Sequence, residues 1–231
     1  MIHRTGQSHK GTDQTRPRGP ILGAGLLLLC MELWKQAFLY LEVFGGHYNV
    51  WYLPFQLCSM PMYMAIGWAM AIKRKRTGTA AVLATFMQDF GLLGGIAALI
   101  VHDGFTWPEH PMLTAHGYIW HVLLIALGIY LWRTGRSDLS LRGFLRSVGL
   151  FMCCAIVAEL INVALHGYGD CDMFYISPYH LSSQPVFREV DRVLGRPAGI
   201  GVYLLCVVLG AGLVHLCFSF NTVRQRFNVL K

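Results

Sequence analysis

The sequence predicts an all-α polytopic membrane protein: a bundle of about six transmembrane helices with both termini in the cytoplasm. Three observations predict it. Hydrophobic residues make up 55% of the 231 positions and charged residues 13%, with a mean hydropathy of +0.46, too apolar for a soluble domain of this length. The apolar runs are about 20 residues each, the length an α-helix needs to cross the hydrocarbon core. Fifteen of the nineteen basic residues fall in segments that alternate with these runs in a single sense, and cytoplasmic segments are the ones that retain Lys and Arg.

The first span, about 20 to 41, follows a basic tail of residues 1 to 19 with Arg4, Lys10, Arg16 and Arg18, expected to be disordered. The apolar stretch runs through Cys30 into MELWKQAFLYL with no small-residue cleavage site, so it reads as a retained anchor rather than a signal peptide. The second span, 50 to 72, ends at the cations Lys73 to Arg76. The third, 79 to 101, carries Gln88 and Asp89 near its middle. The fourth, 112 to 132, precedes Arg133 and Arg136 and holds His116 and His121. The fifth, 144 to 166, begins beside Arg142 and Arg146 and carries Glu159, Asn162 and His166. The sixth, 199 to 220, closes the bundle (20 to 221) and leads to a cytoplasmic tail with Arg224, Arg226 and Lys231. Between the fifth and sixth lies a long outer loop with the three basic residues of the other side, Arg188, Arg192 and Arg196. Its segment FYISPYHLSSQP has the turn and hydrogen-bonding residues of a lid.

The formal charge of +7 is therefore accounted for by topology, and a nucleic-acid partner is not implied. Six of the seven cysteines fall within spans and Cys171 stands alone in a loop, so no disulfide framework is expected. There is no CxxC, no HExxH and no glycine-rich phosphate loop, hence no expected metal or cofactor. No internal repeat of the transporter kind is visible.

The informative residues are the polar ones that a bilayer penalises by about 3 kcal/mol when ionised at mid-membrane. Glu32, Lys35 and Gln36 share a helix face by their spacing, as do Glu159, Asn162 and His166. At ~1.5 Å per residue, Cys58 and Glu159 lie roughly 10 Å from the outer ends of their spans, His116 and Asn162 roughly 6 Å, and Glu32 roughly 13 Å. A common polar pocket in the outer half of the membrane follows, with independent helix-to-helix hydrogen bonds as the other explanation. A thiol and an imidazole at matching depth are the minimum for a cysteine nucleophile. An imidazole offsets the apolar surroundings that disfavour a thiolate, and the thiolate attacks an ester carbonyl to give an acyl-thioester. His116 is preferred over His121, about 140° away around the helix, because it matches Cys58 in depth and is followed by Gly117, which permits close approach. Asn162 is the candidate oxyanion donor, and Glu159 or Glu32 the candidate orienter of His116.

The motifs LPFQLCSMPMY, WPEHPMLTAHGYIWHVLLIALGIYL, INVALHGYGDCDMFYISPY and VLGRPAGIGVYLL resemble, in this order, the YwaF family of integral membrane proteins. That family is similar to the transmembrane protein 164 acyltransferase, which moves acyl chains between phospholipids without coenzyme A. The resemblance implies a catalytic cysteine and histidine, carried onto Cys58 and His116, with phospholipid substrates and a site in a bacterial plasma membrane. The family often has a further N-terminal helix where this chain has a basic tail. Two other classes stay open: a transporter of a small solute or protons using Asp89, Glu159 and Lys35, and a haem bundle drawing on His116, His121, His166 or His215.

Overall fold

A computed structural model describes residues 19–229, with side chains through residue 222; the expected disordered tail, residues 1 to 18 of it, and the end of the C-terminal tail lie outside the described residues. The described chain is helical without strands. It forms α1 (Gly19–Phe38), α2 (Met60–Lys73), α3 (Thr77–Phe86), α4 (Leu92–Ile100), α5 (Pro111–Arg133), α6 (Leu141–Leu165), α7 (Pro185–Leu194) and α8 (Arg196–Val229). A π-helical turn, Leu39–Val43, extends α1, and another, Met87–Gly91, joins α3 to α4 into one rod.

Among the described residues, five helical rods are long and apolar enough to cross a membrane: Gly19–Val43, Thr77–Ile100, Pro111–Arg133, Leu141–Tyr168 and Arg196–Thr222. The second expected span differs. Only Met60–Lys73 of it is α-helix, about 21 Å at 1.5 Å per residue. The physical reason is local: Pro54 cannot donate to a helical bond, Gln56 is extended, and Pro61 stands in the first turn of α2, where its missing N–H costs nothing. Residues 50–52 and 57–59 form single 3₁₀ turns instead.

One end of the bundle gathers Lys73 to Arg76 and Arg133 to Ser140; the other gathers residues 44–59, 101–110 and 166–195, and is called the loop-rich end below. A column of aromatic rings runs through the core. Phe86 stacks on Phe90 at 5.1 Å, Phe90 on Phe151 at 4.8 Å, Phe151 on Phe174 at 6.1 Å and Phe174 on Phe55 at 6.0 Å. Dispersion and burial along this column tie α3, α6 and the segment before Cys58 to the turn at Phe174. Gly95 lets α4 seat against α5, since a Cβ there would meet Ile125 Cγ1 at 2.9 Å and the His121 carbonyl at 3.0 Å.

Candidate active site

Because the chain breaks before α2, Cys58 sits in the 3₁₀ turn Leu57–Ser59 at the N-terminal end of that helix. The helix dipole at such an end favours a negative charge, the form of cysteine that acts as nucleophile, while the nearest N–H groups are spent in the turn itself, Ser59 N donating to the Gln56 carbonyl at 2.8 Å and Met60 N to the Leu57 carbonyl. Cys58 packs beside Leu28, Met62, Trp120 and Leu124. The Trp120 indole N–H donates to the Cys58 carbonyl at 3.1 Å.

His116 lies one turn before Trp120 on α5. Its ring stacks between Trp34 and Trp120, each at 5.6 Å. Its Nε2 meets the Met31 carbonyl at 3.1 Å. A carbonyl only accepts, so Nε2 carries the hydrogen and Nδ1 is left as the proton acceptor. Trp120 thus touches both candidate residues, one with its N–H and the other with its face. Both also lie within electrostatic reach of Glu32 and Lys35. No hydrogen bond joins Cys58 Sγ to His116 among the described residues. His121 is turned elsewhere: its Nδ1 donates to the Gly117 carbonyl of its own helix at 2.7 Å and its ring lies 4.8 Å from Phe105. The close approach at Gly117 is filled by the Phe105 ring.

Glu32 is buried at 3% exposure and its oxygens are taken up within its own helix face, by Lys35 Nζ at 2.8–2.9 Å and Gln36 Nε2 at 2.7 Å. Gln36 also donates to the Tyr52 carbonyl at 2.6 Å. The hydrogen-bond partner of His116 is the Met31 carbonyl, and the Glu32 group instead ties α1 to the turn that leads into Cys58.

Asn162 is fully buried and spends its amide on the outer loop. Its Oδ1 accepts from Met173 N at 2.6 Å and from Cys171 Sγ at 3.6 Å, and its Nδ2 donates to the Met173 carbonyl at 3.1 Å. Glu159 stands beside it, within electrostatic reach of Arg196, with Oε2 buried and unpartnered among the described residues. Neither touches His116. Gln56, two residues before Cys58, grips the same loop from the other side: Nε2 donates to the Asp172 carbonyl at 2.8 Å and Oε1 accepts from Phe174 N at 2.9 Å. Sequence reading missed Gln56; its one signal was an amide in an otherwise apolar motif. The gripped turn holds Phe174 and Tyr175 at φ 57° and 59°, a strained region for aromatic residues, and it brings Tyr175 within electrostatic reach of Cys58.

Arg196 completes the grip. Nε donates to the Ser177 carbonyl at 2.7 Å, Nη2 to the Tyr175 carbonyl at 2.9 Å and Nη1 to Asp191 Oδ2 at 2.7 Å, with Asp172 Oδ1 3.8 Å away. Two buried carboxylates share one guanidinium. Burial pushes the Asp172 carboxyl up to about 6, against the pull of the Ser177 N–H and Arg196.

A separate buried group lies in the π-helical turn. Asp89 Oδ2 accepts from His215 Nδ1 at 2.8 Å and Oδ1 from Gln88 Nε2 at 2.9 Å. Sequence reading flagged Asp89 but had no means to pair it with a histidine 126 positions away. No group of three or more His, Cys, Asp or Glu able to hold a metal exists among the described residues.

Compared with known proteins, the chain matches one family model, that of the TMEM164 family, over residues 4–221. No curated protein and no solved structure matches it.

Proposed function

The chain belongs to the TMEM164 family, and from that premise we propose that it is a membrane-embedded, cysteine-dependent enzyme of lipid acyl transfer or lipid hydrolysis, placed in a bacterial plasma membrane with its loop-rich end facing outward. The likeness of its motifs to YwaF proteins belongs to the same reading. The observation that carries it is the shared Trp120: its indole N–H holds the Cys58 carbonyl at a helix N-terminus and its face stacks on the His116 imidazole, whose Nδ1 has no hydrogen-bond partner among the described residues.

The chemistry runs as follows. His116 Nδ1 takes the proton of Cys58, and the thiolate attacks the carbonyl carbon of a phospholipid ester. The ester C–O bond breaks, the departing alkoxide takes the proton from His116, and a lysophospholipid leaves an acyl-thioester on Cys58. A lipid hydroxyl or water then gives its proton to His116 and attacks the thioester; the C–S bond breaks and the thiolate is reprotonated. Asn162, Gln56 and Arg196 hold the turn at Phe174 and Tyr175, Glu159 stands beside Asn162, and Glu32 is tied through Gln36 to the turn that leads into Cys58. The reading calls for no metal or cofactor.

Cys58→Ser keeps the fold and removes the thiol; His116→Ala removes its base. Both are expected to abolish transfer of labelled acyl chains between phospholipids, and a hydroxylamine-sensitive acyl adduct is expected on the wild type alone. A Cys58→Ser protein that transfers acyl chains at the normal rate refutes the nucleophile. A second reading, transport of protons or a small solute, is favoured by the buried Asp89 and His215 pair in the π-helical turn; pH-driven uptake into proteoliposomes that is lost in Asp89→Asn tests it.

A further inference from the structure

The positive-inside rule makes exported cations informative. All three basic residues of the long loop lie at the loop-rich end, and only Arg196 is consumed by the turn described above. Arg188 and Arg192, at i and i+4 on α7, stand on one side of that helix. They line an open cleft of about 430 Å³ together with Trp51, Asp170, His180 and Ser183.

The polar groups of this cleft are only partly used. Arg188 is steadied by its Nε, which donates to the Ser182 carbonyl at 3.2 Å, leaving its terminal N–H groups without a partner among the described residues. Arg192 pairs with Glu189 at 2.6 Å, but both side chains are more than half exposed, and such a pair contributes little. Ser183 Oγ and His180 Nε2 are buried and have no hydrogen-bond partner among the described residues. Buried polar atoms of that kind are rare in a folded protein unless a ligand or water meets them. Two guanidinium groups and a hydroxyl against a single carboxylate, Asp170, make a set suited to the acceptor oxygens of a tetrahedral phosphate, whereas His180, whose Nδ1 donates to the Leu181 carbonyl at 3.3 Å, presents Nε2 as a donor only when the ring is protonated.

We propose that this cleft binds a phosphate group, with Arg188 and Arg192 as its cationic fork and the Ser183 hydroxyl at its back. That the phosphate belongs to a phospholipid headgroup rests on the acyl-transfer reading. Position supports it: Trp51 lines the cleft and packs on Tyr175 at 6.4 Å, and Tyr175 lies within electrostatic reach of Cys58. A headgroup held there leaves its acyl chains to run inward toward the thiol.

The test is titration calorimetry on the full chain in neutral detergent micelles. The ligands are short-chain phosphatidylglycerol, the diacylglycerol of equal chain length and inorganic phosphate. Phosphatidylglycerol is expected to bind at least about tenfold more tightly than the diacylglycerol, as loss of one charge-assisted contact implies. Arg188→Gln and Arg192→Gln are each expected to weaken it about tenfold and leave the diacylglycerol unchanged, Asp170→Asn to tighten it, and Arg142→Gln, at the opposite end of the bundle, to change nothing. Equal affinities in wild type and the Arg188→Gln/Arg192→Gln double variant overturn the phosphate cleft. Inorganic phosphate binding as tightly as the lipid overturns the headgroup assignment alone. Arginine-dependent lipid binding in a protein without acyl transfer leaves the cleft standing and removes the enzyme reading, whereas acyl transfer with KM unaltered in the double variant removes the cleft and keeps the enzyme.

Discussion

Replacing Gln56 by Ala removes two hydrogen bonds at once, the donor to the Asp172 carbonyl at 2.8 Å and the acceptor for Phe174 N at 2.9 Å. Both backbone partners are shielded from water, Asp172 being fully buried and Phe174 1% exposed. Each unmet buried group costs about 1–3 kcal/mol in a soluble setting, and interhelical bonds in bilayers fall at the low end of such ranges, so a total of about 2–4 kcal/mol is expected. The strain of two aromatic residues at positive φ, on the order of 1 kcal/mol each, is then free to relax. Asn162 and Arg196 still hold the other sides of the turn, so the loss should appear as local opening rather than global unfolding. Hydrogen exchange of the amides of residues 173 to 176 is expected to quicken by about 30- to 1,000-fold, at tenfold per 1.4 kcal/mol, while the amides of α5 keep their rates. Gln56→Glu, which keeps the acceptor and loses the donor, should fall between. Wild-type exchange at residues 173 to 176 in Gln56→Ala, or an equal quickening throughout the bundle, would falsify the clamp.

Three further outcomes are expected. Asn162→Ala, which strips both bonds from Met173, should lower bundle stability by about 2 kcal/mol; full thermal stability with lost activity would return Asn162 to the reacting centre. The raised Asp172 carboxyl sets a pH dependence: between pH about 4 and about 6 the closed turn holds more protons than the open chain, so its stability declines as pH rises through that window. Exchange at residues 173 to 176, corrected for intrinsic rates, should be slower at pH 5 than at pH 7, and Asp172→Asn should flatten the difference; the opposite slope refutes the linkage. In a cysteine-free background, a probe cysteine placed between residues 102 and 111 should react with an impermeant thiol reagent from outside; reaction only after permeabilisation reverses the proposed orientation.

What was legible in the sequence is what local rules govern. Apolar run length marks the rods, and i, i+3, i+4 spacing put Glu32, Lys35 and Gln36 on one face, where their hydrogen bonds are found. The break before α2 was also written locally, in Pro54 and Pro61, but a hydropathy window averages over prolines and returned one continuous span from 50 to 72. The turn at Phe174 and Tyr175 had no such signal, because bulky aromatic residues ordinarily avoid positive φ. It exists through three distant grips, from Gln56, Asn162 and Arg196.

The same distinction separates the roles of the polar residues. A bilayer makes every buried polar side chain conspicuous, since each must be satisfied, but conspicuousness does not say by what. Asn162 and Glu32 stand out alongside Cys58 and His116, and only their partners distinguish them: the first two spend their capacity on the loop and on Lys35, whereas His116 Nδ1 has no hydrogen-bond partner among the described residues. Cysteine shows the contrast most sharply. Cys30, Cys153, Cys154, Cys206 and Cys217 lie within helices and Cys171 is spent on Asn162. Cys58 stands at the start of a helix beside a tryptophan that also holds an imidazole. That placement follows from a proline-broken segment rather than from the thiol itself, so Pro54 and Pro61 are as much a part of the candidate site as the residue between them.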